Sequence, residues 1–520
     1  MKPKISAVID IGSNELRLHI AQVVKFGEKN EGEVKYLERL SYPLSLGRDT
    51  FHMGKLSFDK VDKACDIINN FIHVAASYGV SNVRTIASTA MREAKNHDYI
   101  IDQIKIKTGV DVHIMDDLEE KKHLYKLITH YAEDMLKESA VIVYIGSGSL
   151  GVSLFVEGKM PQTWNIRVGS MRMGELFGQM QEYTKDFYRL MEEYLAGYTD
   201  HLLGALPSDI EHFIVCGQEI ELIAKLAMNE QPSATSTLFE VPVTDFNDFY
   251  NTIKSKSADK IAMDYHLNPD KADALLPAAC IYHNLLNCTH AAHITASRLL
   301  PCDALLFEEL FPKKIQLIDK RFDKGTHQSV RRLAEQHGAD ISHGEIVRDF
   351  ALTIFDRIKK VHGLGSRDKL LLTVASVLHD IGECINKRDH HEISYEIVRN
   401  LDIVGLTQKE LQIAAIICRY HSFVMPDLTE PYYQELDSDT KVKVSKLAAM
   451  LRIADALDRS HTQKYKQIEA KLVENALIIT VETDKNVNLE VWAFAQKAQF
   501  FEDVFGIKAQ LKIKNKKQTM

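Results

Sequence analysis

Two apolar runs, each ending in a turn of small residues, stand out in the pattern of hydrophobic and polar positions. Residues 5–9 lead into 10–14 (DIGSN), and residues 141–143 lead into 144–149 (YIGSGS). A second apolar run follows each turn, which is typical of a β-hairpin. The pattern therefore predicts two strand–turn–strand openings, each followed by helices, in an α/β fold.

The rest of the chain divides by the period of its apolar positions. Strands alternate with helices up to about residue 305, helical spacing dominates from about residue 328, and alternation returns from about residue 469. We predict two α/β lobes, a helical domain and a small α/β end domain, over residues 1–125, 126–305, 306–465 and 466–520.

Composition restricts the class of protein. Hydrophobic residues make up 45% and charged residues 26%, and the net charge of −8 argues against a general nucleic-acid-binding surface. The seven cysteines form no C-x-x-C pair, which favours reduced thiols over disulfides or a zinc ribbon. Without a signal-peptide pattern or a membrane-spanning run, we expect a cytoplasmic protein.

The two turns have the composition of a phosphate-binding site. Glycine lets backbone amides approach an anion, and serine or asparagine side chains add further contacts. Two such turns can hold a phosphate chain from both sides. The candidate phosphate-binding residues are Gly12, Ser13, Asn14, Gly146, Ser147, Gly148 and Ser149.

Three segments together resemble the exopolyphosphatase / guanosine pentaphosphate phosphohydrolase (Ppx/GppA) family. Residues 10–14 resemble its first phosphate turn, and 88–96 (STAMREAKN) resemble its T-x-A-x-R-x-A-x-N segment. Residues 115–120 (MDDLEE) stand where the family has I-S-G-x-E-E. The resemblance implies two actin-like lobes of ribonuclease H-like topology, a homodimer, and inorganic polyphosphate or guanosine penta/tetraphosphate as partner.

The same resemblance assigns roles to three side chains. Glu119 corresponds to the carboxylate that orients or deprotonates the attacking water, and Asp10 corresponds to a ligand of Mg²⁺. Arg92 corresponds to a group that pairs with phosphate or locks a carboxylate. Each has a plainer interpretation: Asp10 caps a turn, Glu119 is a solvated charge at a helix start, and Arg92 links the lobes.

The second turn departs from the family pattern D-I-G-G-G-S-T-E-L. Tyr144 stands in place of the aspartate and Gly151 in place of the glutamate. A phenol is a poor metal ligand at pH 7 because its pKa is near ~10. Loss of a metal ligand predicts a rate lowered by roughly 10³-fold or more.

The helical part contains a second candidate site. Residues 378–382 (LHDIG) and 453–459 (IADALDR) resemble an HD-type domain, and residues 489–506 resemble the small α/β end domain of long family members. The HD-type resemblance implies a site for Mn²⁺, Fe²⁺, Co²⁺ or Zn²⁺, whereas a hydrogen-bonded scaffold is the alternative. The implied ligands are His343, His379, Asp380 and Asp455, and the candidates for a second ion are His390, His391 and His421.

Three functions follow from these sites. The first is an exopolyphosphatase-like hydrolase of phosphoanhydrides with a degenerate second turn. The second is an HD-type metal-dependent phosphohydrolase whose N-terminal lobes only bind phosphate or alarmone. The third is a non-catalytic binder of polyphosphate or alarmone. We expect the first.

Overall fold

A computed structural model describes residues 4–26, 31–178, 180, 183–184, 186–207, 209–233, 236–403, 405–426 and 429–515. The chain divides into two compact units, unit 1 (Met1–Phe322) and unit 2 (Asp323–Met520). None of the helices in these described ranges combines the length and the apolar character needed to cross a lipid bilayer. The four domain limits given above stay predictions.

The first hairpin of unit 1 belongs to a five-stranded sheet of order β3-β2-β1-β4-β5. The central strand β1 is almost wholly buried, which explains its unbroken apolar run. It pairs antiparallel with β2 and parallel with β4. The strands are β1 (Ile5–Ile11), β2 (Glu15–Phe26), β3 (Glu31–Pro43), β4 (Arg84–Ala87) and β5 (Val112–Ile114).

The second hairpin belongs to a six-stranded sheet of order β10-β11-β9-β6-β7-β8. Strand β6 is central, antiparallel to β7 and parallel to β9, as β1 is to β2 and β4. The sheets therefore repeat one topology, apart from the additional edge strand β10. The strands are β6 (Ala140–Ile145), β7 (Leu150–Val156), β8 (Lys159–Ile166), β9 (His212–Gly217), β10 (Leu238–Pro242) and β11 (His293–Ser297).

Helices cover both sheets, and each sheet has its own buried apolar cluster. After β11 the chain returns to the first sheet, where Cys302, Leu305 and Leu306 pack against Val8 and Ile86. The helices that begin in unit 1 are α1 (Leu46–Met53), α2 (Phe58–Ser77), α3 (Thr89–Glu93), α4 (His97–Thr108), α5 (Asp117–Tyr131), α6 (Ser170–Phe177), α7 (Phe187–Leu203), α8 (Ile220–Met228), α9 (Val243–Ile253), α10 (Ala258–Tyr265), α11 (Pro269–Leu286), α12 (Pro301–Leu310) and α13 (Pro312–Gln336).

Unit 2 is helical up to residue 458 and then contains a three-stranded sheet. Its strands β12 (Ile468–Val473), β13 (Ala476–Thr483) and β14 (Lys508–Asn515) are joined by α21 (Asn488–Phe505). The other helices that begin in unit 2 are α14 (Ile341–Arg357), α15 (Lys359–His362), α16 (Ser366–Leu378), α17 (His390–Val398), α18 (Gln408–Arg419), α19 (Pro431–Gln434) and α20 (Ser438–Ala456).

Candidate functional site

The two glycine-serine turns are closed in the same way. The Gly12 amide donates to the Glu15 carbonyl at 3.1 Å, and the Gly146 amide donates to the Ser149 carbonyl at 2.8 Å. Strands β1 and β6 occupy equivalent positions in their sheets. The two turns therefore lie at equivalent edges of the two sheets.

The two turns meet each other within unit 1. The buried hydroxyls of Ser13 and Ser147 share a hydrogen bond of 2.7 Å. The start of α6 supports the second turn from behind, with the amides of Ser170 and Arg172 donating to Gly146 and Ser147 at 3.1 Å. Sequence reasoning thus identified two loops that the fold brings into contact.

A cavity of about 240 Å³ opens beside the first turn. Asn14 lines it, and the Asn14 Oδ1 is buried without a hydrogen-bond partner among the described residues. From the second lobe, Gly217 at the end of β9, Glu219 just after it and Lys271 line the same cavity. Glu219 accepts a hydrogen bond from Ser170 at 2.9 Å, and burial raises the pKa of Glu219 to about 7.

Asp10 lies at the end of β1 and pairs with Arg17. The Arg17 Nη1 donates to Asp10 Oδ2 at 3.2 Å, and both side chains are buried. Burial raises the pKa of Asp10, although Arg17 opposes that shift. Groups of three or more potential His, Cys, Asp or Glu metal ligands occur in the described residues, but none includes Asp10, Glu119 or Glu120.

The two glutamates at the start of α5 have different surroundings. Asp116 caps this helix by accepting from the Glu119 amide at 2.8 Å. The Glu119 side chain accepts from His113 Nε2 at 2.9 Å and lies 3.8 Å from His123 Nε2. Burial alone would raise the pKa of Glu119, but these histidines outweigh it and lower that pKa.

Glu120, which sequence reasoning missed, lies beside the second turn. Its buried carboxylate accepts a hydrogen bond from the Tyr144 hydroxyl. Burial raises the pKa of Glu120, and burial with the adjacent carboxylate raises the pKa of Tyr144 well above its usual value. The sequence contains a pattern that predicts the burial of Glu120, because Glu120 shares helical spacing with Leu124, Leu127 and Ile128, which are buried.

Arg92 lies within the first lobe, and its contacts join α3 to the start of α5. It pairs with Asp117 and donates to the Met115 carbonyl at 2.6 Å and to Thr89 at 3.1 Å. Arg92 therefore locks a carboxylate at the start of α5, one of the two roles expected from the resemblance.

Lys121 fills the space left by the glycine at position 151. A Cβ on Gly151 would lie 2.7 Å from the Lys121 Cε and 2.5 Å from the Tyr125 hydroxyl. The buried Lys121 ammonium donates to Ser149 Oγ at 3.1 Å and also to Asn165. The second turn thus carries a lysine cation where the family pattern has a glutamate.

The predicted metal ligands of unit 2 form one buried cluster. His343 Nε2 lies 3.2 Å from His379 Nε2, 3.5 Å from Asp380 Oδ2 and 3.3 Å from Asp455 Oδ1. His379 Nε2 lies 3.3 Å from Asp380 Oδ2 and 3.6 Å from Asp455 Oδ1. Ligands about 2.1 Å from one ion are separated by about 3.0–3.4 Å in octahedral or tetrahedral sites, so these four residues fit a metal ion.

The other oxygen of Asp380 faces a second pair of histidines. Asp380 Oδ1 lies 3.4 Å from His390 Nε2 and 3.2 Å from His421 Nε2, which lie 3.1 Å from each other. Of the two adjacent histidines considered for the second ion, His390 is the one that lies in this cluster. The His391 ring centroid lies 5.7 Å from that of His390, and His391 makes none of the cluster contacts found in the described residues.

The charges of this cluster are strongly coupled. Burial opposes protonation of His343 and His379, but Asp455, Asp458 and Asp380 outweigh it and raise the pKa of His343 to about 9 and of His379 to about 10. Burial lowers the pKa of His421 to about 4. A metal ion at these nitrogens would displace the protons, because only the unprotonated imidazole binds metal.

Comparison with known proteins agrees with this geometry. A family model described as "Ppx/GppA phosphatase family" matches residues 26–300, and one described as "Ppx/GppA phosphatase, domain III" matches residues 326–495. A guanosine-5'-triphosphate,3'-diphosphate pyrophosphatase of Photobacterium profundum is 22% identical over 488 residues, which is 91% of each chain.

Two solved structures share the fold of about three-fifths of this chain. A crystal structure of an exopolyphosphatase from Cytophaga hutchinsonii has a TM-score of 0.53 at 19% identity and covers 59% of this chain and 98% of its own. The Aquifex aeolicus member of the Ppx/GppA family has a TM-score of 0.50 at 18% identity and covers 60% and 99%. The predicted pair of actin-like lobes is confirmed.

Proposed function

Because the chain belongs to the Ppx/GppA phosphatase family, we propose that unit 1 hydrolyses the terminal phosphoanhydride bond of inorganic polyphosphate or guanosine pentaphosphate. The observation that carries this proposal is the 2.7 Å contact between Ser13 and Ser147, which brings the two turns to one place. An extended polyanion needs donors on both sides, and the paired turns offer amides and hydroxyls there.

The phosphate chain would continue from the turns into the adjacent cavity. Asn14, whose Oδ1 has no hydrogen-bond partner among the described residues, lies where the turn borders the cavity. The cavity of about 240 Å³ is below the roughly 300–1,000 Å³ of most small-molecule sites. This size suits a phosphate chain and leaves a nucleoside outside it.

Glu120 is the carboxylate that we assign to water activation. A raised pKa brings a carboxylate closer to the working pH, where a general base is most effective. Glu120 accepts one proton from water, the water oxygen bonds to the terminal phosphorus, and the bridging P–O bond breaks. The remaining chain leaves with the electron pair of that bond. The Tyr144 hydroxyl holds the Glu120 carboxylate in place.

Lys121 supplies positive charge at the second turn. Its ammonium donates to Ser149 Oγ, and the carboxylates that the family pattern places at positions 144 and 151 are absent from this sequence. The turn is therefore less negative than the family pattern, which favours direct contact with phosphate oxygens.

The residues at the two turns fit Mg²⁺ only as an ion that binds together with the phosphate groups of the substrate. Mg²⁺ is usually bound by one or two carboxylates together with substrate phosphates, and Asp10 is the carboxylate at the first turn. When bound, Mg²⁺ neutralises charge on the phosphate chain. Asp10 would hold the ion, and its pairing with Arg17 keeps the Asp10 carboxylate in place.

Paired substitutions in one helical turn test the proposal. We expect Glu120→Gln to lower phosphate release from polyphosphate and guanosine pentaphosphate by about 10²–10⁴-fold, because it removes the general base. Glu119→Gln is the matched control, with the same chemistry at the neighbouring position. Phosphate release is measured with each substrate, with and without Mg²⁺.

The result that contradicts the assignment is loss of activity in Glu119→Gln with normal activity in Glu120→Gln, which would restore the role expected from the sequence. Binding of polyphosphate without any phosphate release would make unit 1 a non-catalytic binder.

A homodimer and a cytoplasmic location, both expected from the sequence, stay part of this proposal. The seven cysteines, all free, support a reducing compartment.

A further inference from the structure

Lys121 and position 151 compete for one space beside the second turn. A Cβ on Gly151 would lie 2.7 Å from the Lys121 Cε and 2.8 Å from its Cδ, so a side chain at 151 and the buried lysine exclude each other. A carboxylate at 151, as in the family pattern, would be a ligand for a cation, whereas the lysine is itself a cation. This chain therefore replaces a group that binds positive charge by one that carries it.

The geometry of α5 directs Lys121 to the second turn. Asp117 and Lys121 are one helical turn apart and so share a face of the helix. The Lys121 Nζ donates to Ser149 Oγ at 3.1 Å, and that hydroxyl donates to Asp117 Oδ1 at 3.2 Å. Asn165 of β8 accepts a further hydrogen bond from Lys121. These contacts hold the ammonium one hydrogen bond away from a hydroxyl that is a candidate phosphate ligand.

The carboxylates beside the second turn have partners other than a metal ion. Asp117 pairs with Arg92, and Glu120 accepts a hydrogen bond from the Tyr144 hydroxyl. Neither carboxylate belongs to any group of three or more possible His, Cys, Asp or Glu ligands found in the described part of the chain. Mg²⁺ requires oxygen ligands in near-octahedral geometry. The side chains of the second turn therefore do not fit a metal ion of their own.

We propose that Lys121 is a catalytic residue of unit 1, a fixed cation that contacts the terminal phosphoryl group at the second turn, in the place of a metal ion. This inference rests on the function proposed for unit 1 and deepens it. The ammonium donates to a non-bridging oxygen of the phosphoryl group and keeps its protons throughout. The proton of the attacking water passes to Glu120, and the electron pair of the broken P–O bond leaves with the remaining chain.

The surroundings of the ammonium make its charge effective. Lys121 and Ser149 are each 4% exposed, so little water screens the interaction of this cation with a bound phosphate. A donor that is already in position when charge develops on a phosphoryl oxygen stabilises the transition state without reorganisation. The long stem of a lysine also lets the ammonium exchange the Ser149 hydroxyl for a phosphate oxygen.

Lys121 also acts on the charge of the general base. Burial raises the pKa of Glu120, and the neighbouring Asp117 adds to that shift. The Arg92 and Lys121 cations and the hydrogen bond from Tyr144 oppose it. Removal of the Lys121 ammonium should therefore raise the pKa of Glu120 further. Because Glu120 must be ionised to accept a proton, the acid limb of the pH profile of kcat should move to higher pH.

Lys121→Ala tests the contact, with Lys126→Ala as the matched control. Lys126 is a buried lysine of the same helix, but it pairs with Asp319 of α13. We expect Lys121→Ala to lower kcat for phosphate release from polyphosphate by about 10²–10³-fold, the loss typical of removing one donor to a developing oxyanion. Lys126→Ala is expected to keep the wild-type kcat, and circular dichroism checks the fold of both variants.

An added amine separates a catalytic contact from a structural role. n-Propylammonium has the atoms that Lys121→Ala removes beyond Cβ. It is expected to restore kcat in that variant in proportion to its concentration and to return the acid limb toward lower pH. Tetramethylammonium carries the same charge without an N–H donor and is expected to restore nothing. Lys126→Ala should respond to neither cation.

The possible outcomes separate this assignment from the function proposed for unit 1. A normal kcat in Lys121→Ala, a loss that n-propylammonium does not reduce, or equal rescue by both cations would overturn the role of Lys121. If Glu120→Gln loses activity in the same assay, the proposed function stands although the assignment of Lys121 fails. A wild-type protein that releases no phosphate would contradict both.

Discussion

The Glu219 carboxyl sits on the wall of the cavity that we assign to the phosphate chain. Burial raises its pKa to about 7, while Arg17 opposes that shift and Glu15 adds to it. At pH 6 this carboxyl is mostly protonated and neutral, and at pH 8 it is mostly ionised. The cavity therefore gains a negative charge across the physiological range.

A pH dependence of substrate binding follows from this charge. As the pH rises from 6 to 8, we expect KM for polyphosphate to increase by about tenfold, since the new carboxylate repels the polyanion at short range. Glu219→Gln is expected to flatten that dependence. Glu221→Gln serves as the control, because the Glu221 side chain is half-exposed and paired with Arg298. A slope that survives in Glu219→Gln would assign it to another group.

Single residues are also where sequence reasoning was least sufficient. Glu119 and Glu120 are adjacent, and so are His390 and His391, so the members of each pair point about 100° apart on a helix. Residue type and resemblance indicated which helix carries each pair, but not which member of the pair faces the site. For Glu120 the spacing of buried leucines carried that information, whereas α17 begins at His390 and offers no preceding turn to fix the direction.

At the level of elements, the second turn and helix α6 are packed as one piece. A Cβ on Gly169 would lie 2.4 Å from the Ser147 carbonyl and 2.5 Å from the Gly146 oxygen. Both neighbours are backbone atoms that already accept bonds from the start of α6. The helix cannot carry a side chain here unless the turn moves.

We expect Gly169→Ala to displace the turn and to lower phosphate release by about 10²-fold, because a shift of about 1 Å is enough for such a loss. Its free energy of unfolding should fall by about 1–3 kcal/mol. Gly197→Ala in α7 is the matched control: among the described residues, nothing beyond its chain neighbours and its own helix backbone lies within 4 Å of the added Cβ, so stability should rise slightly. Equal kinetics in both variants would mean that the turn does not position substrate.

Elements with a strong period were predictable. The pattern at 56–76 corresponds to α2 (Phe58–Ser77), and that at 440–458 to α20 (Ser438–Ala456). The pattern also predicted both hairpins. The long α13 was predicted only from residue 328, since its earlier part is rich in charged residues and its apolar positions are sparse.

At the scale of the whole molecule, the two compact units carry separate candidate sites. Metal that binds the folded state of unit 2 stabilises that unit by about 2.7 kcal/mol at a hundredfold excess over Kd. For a unit of this size we expect an upward shift of about 5–10 °C in one calorimetric transition. Chelation should reverse the shift, and Asp380→Asn should abolish it. A shift in both transitions, or in neither, would contradict a site confined to unit 2.

The hydroxyl pair Ser13 and Ser147 has a kinetic consequence. At 2.7 Å one hydroxyl donates its proton to the other, so a phosphate oxygen can accept from both hydroxyls only after that hydrogen bond breaks. Association therefore includes a step whose rate is a property of the protein and does not increase with ligand concentration. At high substrate concentration the observed rate of binding reaches a plateau, which is set by the rate at which the hydrogen bond between Ser13 and Ser147 breaks.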